Sequence, residues 1–67
     1  MSLSDRDIFA TAKLTIQQHG ASAAYYAAGR ADELLAVGDL EGAAVWRRIA
    51  KATESLLAME APAGIKH

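Results

Sequence analysis

The sequence predicts an all-α fold built from three helices. Two glycines, Gly20 and Gly38, each follow an apolar segment with helical periodicity, and the segment between them is rich in alanine. Glycine readily adopts the left-handed conformation that ends many helices, and alanine is the strongest helix former. We therefore predict three helices, at about 5–19, 22–37 and 40–60.

The first predicted helix has recognisable start and stop signals. Ser4 is a suitable N-cap, with Asp7 in the capping-box position. Leu3 and Ile8 have the spacing of a hydrophobic staple across this start, and Gly20 marks the end. On a helical wheel, the stripe expected to face the core contains Ile8, Phe9, Ala12, Ile16 and His19.

The second predicted helix carries little apolar bulk. Its core-facing stripe is mostly alanine, which lets neighbouring helices approach closely but buries little surface. Gly38 ends this helix, and Asp39 is placed to cap the next one. Because the connection is short, the second and third helices are expected to form an antiparallel hairpin. The stripe contains Ala23, Ala24, Ala27, Ala28, Ala31, Leu34 and Leu35.

The third predicted helix is apolar over about half of its circumference, which is too wide for one neighbour but suits two. We therefore predict that it is the central brace on which the other two helices pack, with Trp46 and Ile49 in the core. Charged residues occupy its other half. The apolar half contains Gly42, Ala43, Val45, Trp46, Ile49, Ala50, Ala52, Thr53, Leu56 and Leu57.

Composition limits what the chain can be. It has 67 residues, with seven basic and eight acidic side chains and no cysteine. We assign one domain to residues 1–60 and a flexible tail to residues 61–67. Disulfides are excluded, and structural zinc is nearly excluded, since the only strong ligands are His19 and His67, which are far apart in the sequence. A core this small is marginal, so oligomerisation or docking on a larger protein is the expected reinforcement.

Targeting and cofactor signals are absent from the sequence. The N-terminus lacks the basic start and apolar run of a signal peptide, and no run is long enough to span a membrane. We expect a soluble cytoplasmic protein without a cofactor. No phosphate loop, nucleophile elbow or metal motif is present, so we predict that the chain is not an enzyme.

Two side chains need a choice between a functional and a structural role. His19 is the natural candidate for acid–base chemistry, but it falls in the last turn of the first helix, where histidine favours the helix dipole. We interpret it as a structural cap. Arg30 follows Tyr26 by one helical turn, so a structural cation–π contact between them is expected.

Two bulky residues lie outside the predicted core stripes. Leu14 is opposite the stripe of the first helix, and Tyr25 projects from the back of the second beside Gly29 and Ala36. Together with the small core, they form a candidate interface. The sequence therefore predicts a non-enzymatic helical interaction module that self-associates or docks on a larger protein.

Two alternatives remain. Arg47, Arg48 and Lys51 form a basic patch that could bind nucleic acid weakly, although acidic residues at the start of the third helix oppose a recognition-helix role. The chain is also small enough to be an inhibitor or antitoxin-like regulator of a partner protein. No residue favours that second alternative specifically.

The turn before the third helix resembles part of a tetratricopeptide repeat. The run Gly38-Asp39-Leu40-Glu41-Gly42-Ala43, with Ala50 seven residues further on, is similar to the turn and second helix of that repeat. The likeness covers half a repeat, and a single unit cannot build the usual concave groove. It implies a helical hairpin.

A second resemblance covers most of the predicted helices. Its residues are His19-Gly20, Arg30, Gly38-Asp39, Gly42, Trp46 and Ile49. In this pattern the chain resembles a family of small uncharacterised helical proteins from alphaproteobacteria. The resemblance implies a shared scaffold and no established activity, cofactor or partner.

Overall fold

A computed structural model of the chain describes residues 4–60, and all of its regular structure is helical. The all-α prediction is confirmed. The tail predicted at 61–67 and the staple residue Leu3 lie outside the described residues. The elements in chain order are α1 (Asp5–His19), a 3₁₀ turn (Gly20–Ser22), α2 (Ala23–Ala36) and α3 (Leu40–Glu60).

The number of helices depends on how the turn at Gly20 is treated. Helical residues run without a gap from 5 to 36 and begin again at 40, so the structure contains two helical stretches packed against each other. The backbone of Gly20, with φ 61° and ψ −135°, leaves helical geometry and divides the first stretch. Three helices are counted only when this division is made.

Helix α1 begins where its capping signal predicts. The backbone N–H of Asp7 donates to the Ser4 hydroxyl oxygen at 3.2 Å, which satisfies one of the free donors of the first turn. At the other end, the N–H of Gly20 donates to the carbonyl of Ile16. Both ends of α1 are therefore set by residues next to them in the sequence.

The turn between α2 and α3 is a Schellman motif followed directly by a cap. Gly38 has φ 84°. The N–H of Asp39 donates to the carbonyl of Leu34 at 2.8 Å, and the N–H of Gly38 donates to the carbonyl of Leu35 at 3.0 Å. The Asp39 carboxylate then accepts a 2.9 Å bond from the N–H of Gly42. A Cβ at Gly42 would lie 2.7 Å from this carboxylate, so a side chain there would displace the cap.

The core is made of small side chains and two isoleucines. Thr15 and Thr53 are buried with it, and each hydroxyl donates to a carbonyl of its own helix, Thr11 at 2.7 Å and Ala50 at 2.6 Å. Burying these hydroxyls is therefore inexpensive. The buried apolar residues are Ile8, Ala12, Ala23, Ala27, Ala31, Ala43, Ile49 and Ala52.

Helix α3 contacts both α1 and α2, and each of these contacts is more extensive than the one between α1 and α2. This is the brace arrangement that its wide apolar face predicts. Ile49 is buried at the centre, and Trp46 is half-buried against the same cluster. The sequence assigns Trp46 to the core, and the structure places it at the edge.

The predicted stripe of α1 was wrong at two positions. Ile8 and Ala12 are buried and Ile16 is half-buried, but Phe9 is 43% exposed and His19 is exposed. The buried face of α1 is centred closer to Thr15, which the apolar pattern omitted. In α2, Leu35 is likewise 43% exposed and Ala28 is exposed, against the prediction for that stripe.

Within residues 4–60, none of the helices combines the length and apolarity that crossing a bilayer requires.

Candidate functional site

Three rings meet where α1, α2 and α3 come together. The His19 and Tyr26 rings are stacked, with centroids 3.9 Å apart and planes 16° from parallel. The Tyr26 ring meets the Trp46 ring edge to face, at 6.1 Å and 84°. The turn at Gly20 brings this about, because it places the last residue of α1 beside the first turns of α2. Such ring pairs contribute beyond the area they bury.

Arg30 extends this cluster on the side of Trp46. Its guanidinium carbon lies 5.9 Å from the Trp46 ring centroid, within the range of a cation–π contact. The sequence predicted Tyr26 as the aromatic partner, and the structure shows Trp46. Arg30 and Trp46 are equally far in sequence from Gly38, so an antiparallel hairpin places them opposite each other.

The charge of Arg30 is balanced locally. One guanidinium nitrogen lies 2.7 Å from a carboxylate oxygen of Glu33, one turn further along α2. The two side chains are 40% and 67% exposed, and exposed pairs of this kind contribute little stability. Arg30 therefore contacts both the Glu33 carboxylate and the Trp46 ring.

A surface cleft of about 350 Å³ extends from His19 at the end of α1 along α2 to Glu33. We call it the α2 cleft. Of its two tyrosines, Tyr25 is 86% exposed and Tyr26 is 39% exposed. The cleft therefore presents aromatic surface to the solvent beside a balanced ion pair. Its lining residues are His19, Ser22, Tyr25, Tyr26, Gly29, Arg30 and Glu33.

The structure places the two predicted interface residues differently. Tyr25 lines the α2 cleft. Leu14 is 52% exposed on α1 and is not among the residues that line this cleft. Tyr25 and His19 therefore line the same cleft. The sequence predicted only a structural cap role for His19.

The predicted basic patch is partly neutralised. A guanidinium nitrogen of Arg48 lies 2.9 Å from a carboxylate oxygen of Asp5 at the start of α1. Lys51 and Arg47 are exposed on α3. Arg48 and Lys51 line a second cleft, of about 220 Å³ between α1 and α3, together with the exposed ring of Phe9. A carboxylate inside the patch weakens its attraction for phosphate.

Within residues 4–60, no three His, Cys, Asp or Glu side chains are grouped closely enough to hold a metal ion. His19 has a ring neighbour in Tyr26.

The part of the chain that forms the helices and their caps matches the model of a sequence family. Residues 4–61 match the model of a family of unknown function, DUF6961. The chain belongs to this family. The matched span begins at the Ser4 cap and includes α1, α2 and α3. No curated protein and no solved structure matches the chain.

Proposed function

We propose that this chain is a non-enzymatic helical interaction module that binds protein through the outer side of α2. The observation that supports this most directly is Tyr25, a large side chain left 86% exposed at the edge of the α2 cleft. Tyrosine is enriched in protein interfaces because its ring buries a large area while its hydroxyl still finds a hydrogen-bond partner.

The surroundings of Tyr25 favour a binding role over catalysis. Arg30 and Glu33 are paired with each other, so the cleft offers a balanced charge pair rather than a charge held apart for chemistry. His19 is stacked flat against Tyr26. Stacked rings and a paired arginine make a stiff surface, and a stiff surface loses less entropy on binding.

A nucleic-acid role has less support. It would depend on Arg47, Arg48 and Lys51, and the Asp5 carboxylate lies 2.9 Å from Arg48. The regulator alternative is a special case of protein binding, and no residue favours it over a general interaction module.

Photo-crosslinking from single positions tests the proposal. Tyr25 is replaced by the ultraviolet-activated residue p-benzoylphenylalanine, and the variant is expressed in the native host. Arg47, exposed on α3, is the matched control position, and Leu14 is a third. We expect adducts with protein from position 25 and none from position 47.

The positions that give adducts show which surface binds protein. Adducts from position 14 as well as 25 would extend the interface to α1. Equal labelling from positions 25 and 47, or no adduct from position 25, would overturn the proposal.

A further inference from the structure

Gly29 in the middle of α2 has no explanation within the chain. Glycine destabilises the interior of a helix relative to alanine. At Gly29 a Cβ would meet nothing within 4 Å, unlike at Gly42, where it would meet Asp39. Folding therefore gives no reason for the missing side chain. A glycine on an outer helix face does allow another backbone or a bulky side chain to approach closely.

Gly29 lies in a row of residues with regular spacing. Successive members are alternately three and four residues apart, which is the spacing of a coiled-coil seam. We call this row the outer seam. Its other members are all exposed. The outer seam consists of Ser22, Tyr25, Gly29, Asp32 and Ala36.

We infer that a second copy of this chain packs on the outer seam, with the two α2 helices antiparallel about a twofold axis. This inference rests on the proposed function and names its partner. A twofold interface must be self-complementary, since the same patch is used on both sides. The largest seam residue, Tyr25, and the smallest, Gly29, are adjacent members. An axis between them places each Tyr25 on the Gly29 of the other copy.

The same register brings opposite charges together. The Ala23 N–H at the start of α2 donates to the Gly20 carbonyl, but this first turn has no acidic residue and no side-chain cap from Ser22, so no carboxylate of its own turn interacts with the positive end of its dipole. Asp32 is exposed and has no ion pair or side-chain hydrogen bond within residues 4–60. Pairing Tyr25 with Gly29 also places each Asp32 beside Ser22 of the second copy. The seam is therefore complementary in both size and charge.

Sedimentation of the full chain over a range of concentrations tests this inference. The wild type is expected to dimerise as concentration rises. Gly29→Ala should raise the melting temperature at low concentration, because alanine favours the helix and its Cβ has room. The same variant should weaken the dimer by about tenfold, which is about 1.4 kcal/mol. Gly29→Gln should abolish it.

If Gly29→Ala gives a more stable monomer that dimerises less well, the weaker dimer is due to a lost contact and not to unfolding. Ala44→Gln, at an exposed position of α3, is the matched control and should leave the dimer unchanged. A dimer that is indifferent to both Gly29 variants would overturn the inference.

A charge exchange tests the register. Asp32→Lys places a cation at the positive helix end of the other copy, and Ser22→Asp places two carboxylates together, so each should weaken the dimer. The double variant brings opposite charges face to face and should restore it. Failure of the double variant to recover would overturn this register.

The two proposals fail in different ways. A wild type that stays monomeric at every concentration, while position 25 still cross-links to another protein, overturns the second copy and leaves the interaction module standing. A monomer without adducts from position 25 overturns both.

Discussion

The two ends of α2 are built differently, although each adjoins a glycine with positive φ. At the Gly38 end, the Schellman bonds and the Asp39 cap satisfy the free backbone groups of both neighbouring helices. At the Gly20 end, Ser22 makes no side-chain cap bond, and stacked rings lie beside the turn.

This difference distinguishes residues that the fold needs from residues for which folding gives no role. At the Gly38 end, Gly38 and Asp39 form the turn of the hairpin, while Val37 and Leu40 beside them are 78% and 66% exposed. At the Gly20 end, Tyr25 and Ser22 face the solvent and have no such role. Exposed bulky side chains are thus found at both ends, and the α2 cleft, which Tyr25 lines, begins at the Gly20 end and reaches Glu33.

The largest expected effects come from the two glycines themselves. Gly38→Ala should lower the free energy of unfolding by about 1–2 kcal/mol, because a side chain is unfavourable in the left-handed region. Gly20→Ala should cost about 1–3 kcal/mol, because ψ −135° is not the left-handed helical value that alanine tolerates best. Thermal unfolding measures both, at roughly 4–8 °C per kcal/mol for a small domain.

The ranking of the two variants is informative. If Gly20→Ala keeps the wild-type melting temperature while Gly38→Ala loses it, the turn at Gly20 does not need glycine, and the break between α1 and α2 is softer than the structure indicates.

The caps provide a sharper comparison between the two ends. Asp39→Ala removes a side-chain bond to the N–H of Gly42 and should cost about 0.5–2 kcal/mol. Ser22→Ala removes no cap bond and should change stability by no more than about 0.5 kcal/mol in either direction. Chemical denaturation of both variants at a concentration where the chain is monomeric makes the comparison. Equal losses would show that Ser22 caps α2 in solution.

Signals local to the sequence predicted most of the fold. The Ser4 and Asp39 caps and the two positive-φ glycines act on backbone groups within a few residues, so their residue types reveal them. Four residues of the pattern on which the second family resemblance was based also have local roles in the structure, namely Gly20, Gly38, Asp39 and Gly42.

Contacts between helices were harder to predict. The wheel placed Phe9 and His19 in the core because it counts only apolar character and position. It passed over Thr15, whose hydroxyl bonds to its own helix and can be buried. The predicted cation–π partner of Arg30 was wrong for a related reason. Tyr26 is one helical turn away in the sequence, whereas Trp46 is brought to Arg30 by the packing of α3 against α2.

The candidate site was predicted only in part. Tyr25 was identified because it lies opposite a clear apolar stripe. Its grouping with His19 depends on the backbone of Gly20, whose ψ the sequence does not reveal. The inference about Gly29 depends on the open space where its Cβ would lie, and the sequence does not reveal that space.

A similarly small effect is expected from the ring stack at the Gly20 end. His19→Ala removes the ring that lies 3.9 Å from Tyr26, and at this exposed position we expect a loss of about 0.5 kcal/mol, the lower limit for aromatic pairs. His19→Phe keeps a ring there and should recover the loss. Because Trp46 is the single tryptophan and meets Tyr26 edge to face, its fluorescence gives a second readout. A shift of its emission to longer wavelength in His19→Ala, reversed in His19→Phe, would show that the stack holds Tyr26 against Trp46. Unchanged emission in both variants would mean that Tyr26 keeps its place without His19, and the stiffness attributed to the α2 cleft would then have to come from α2 and α3 alone.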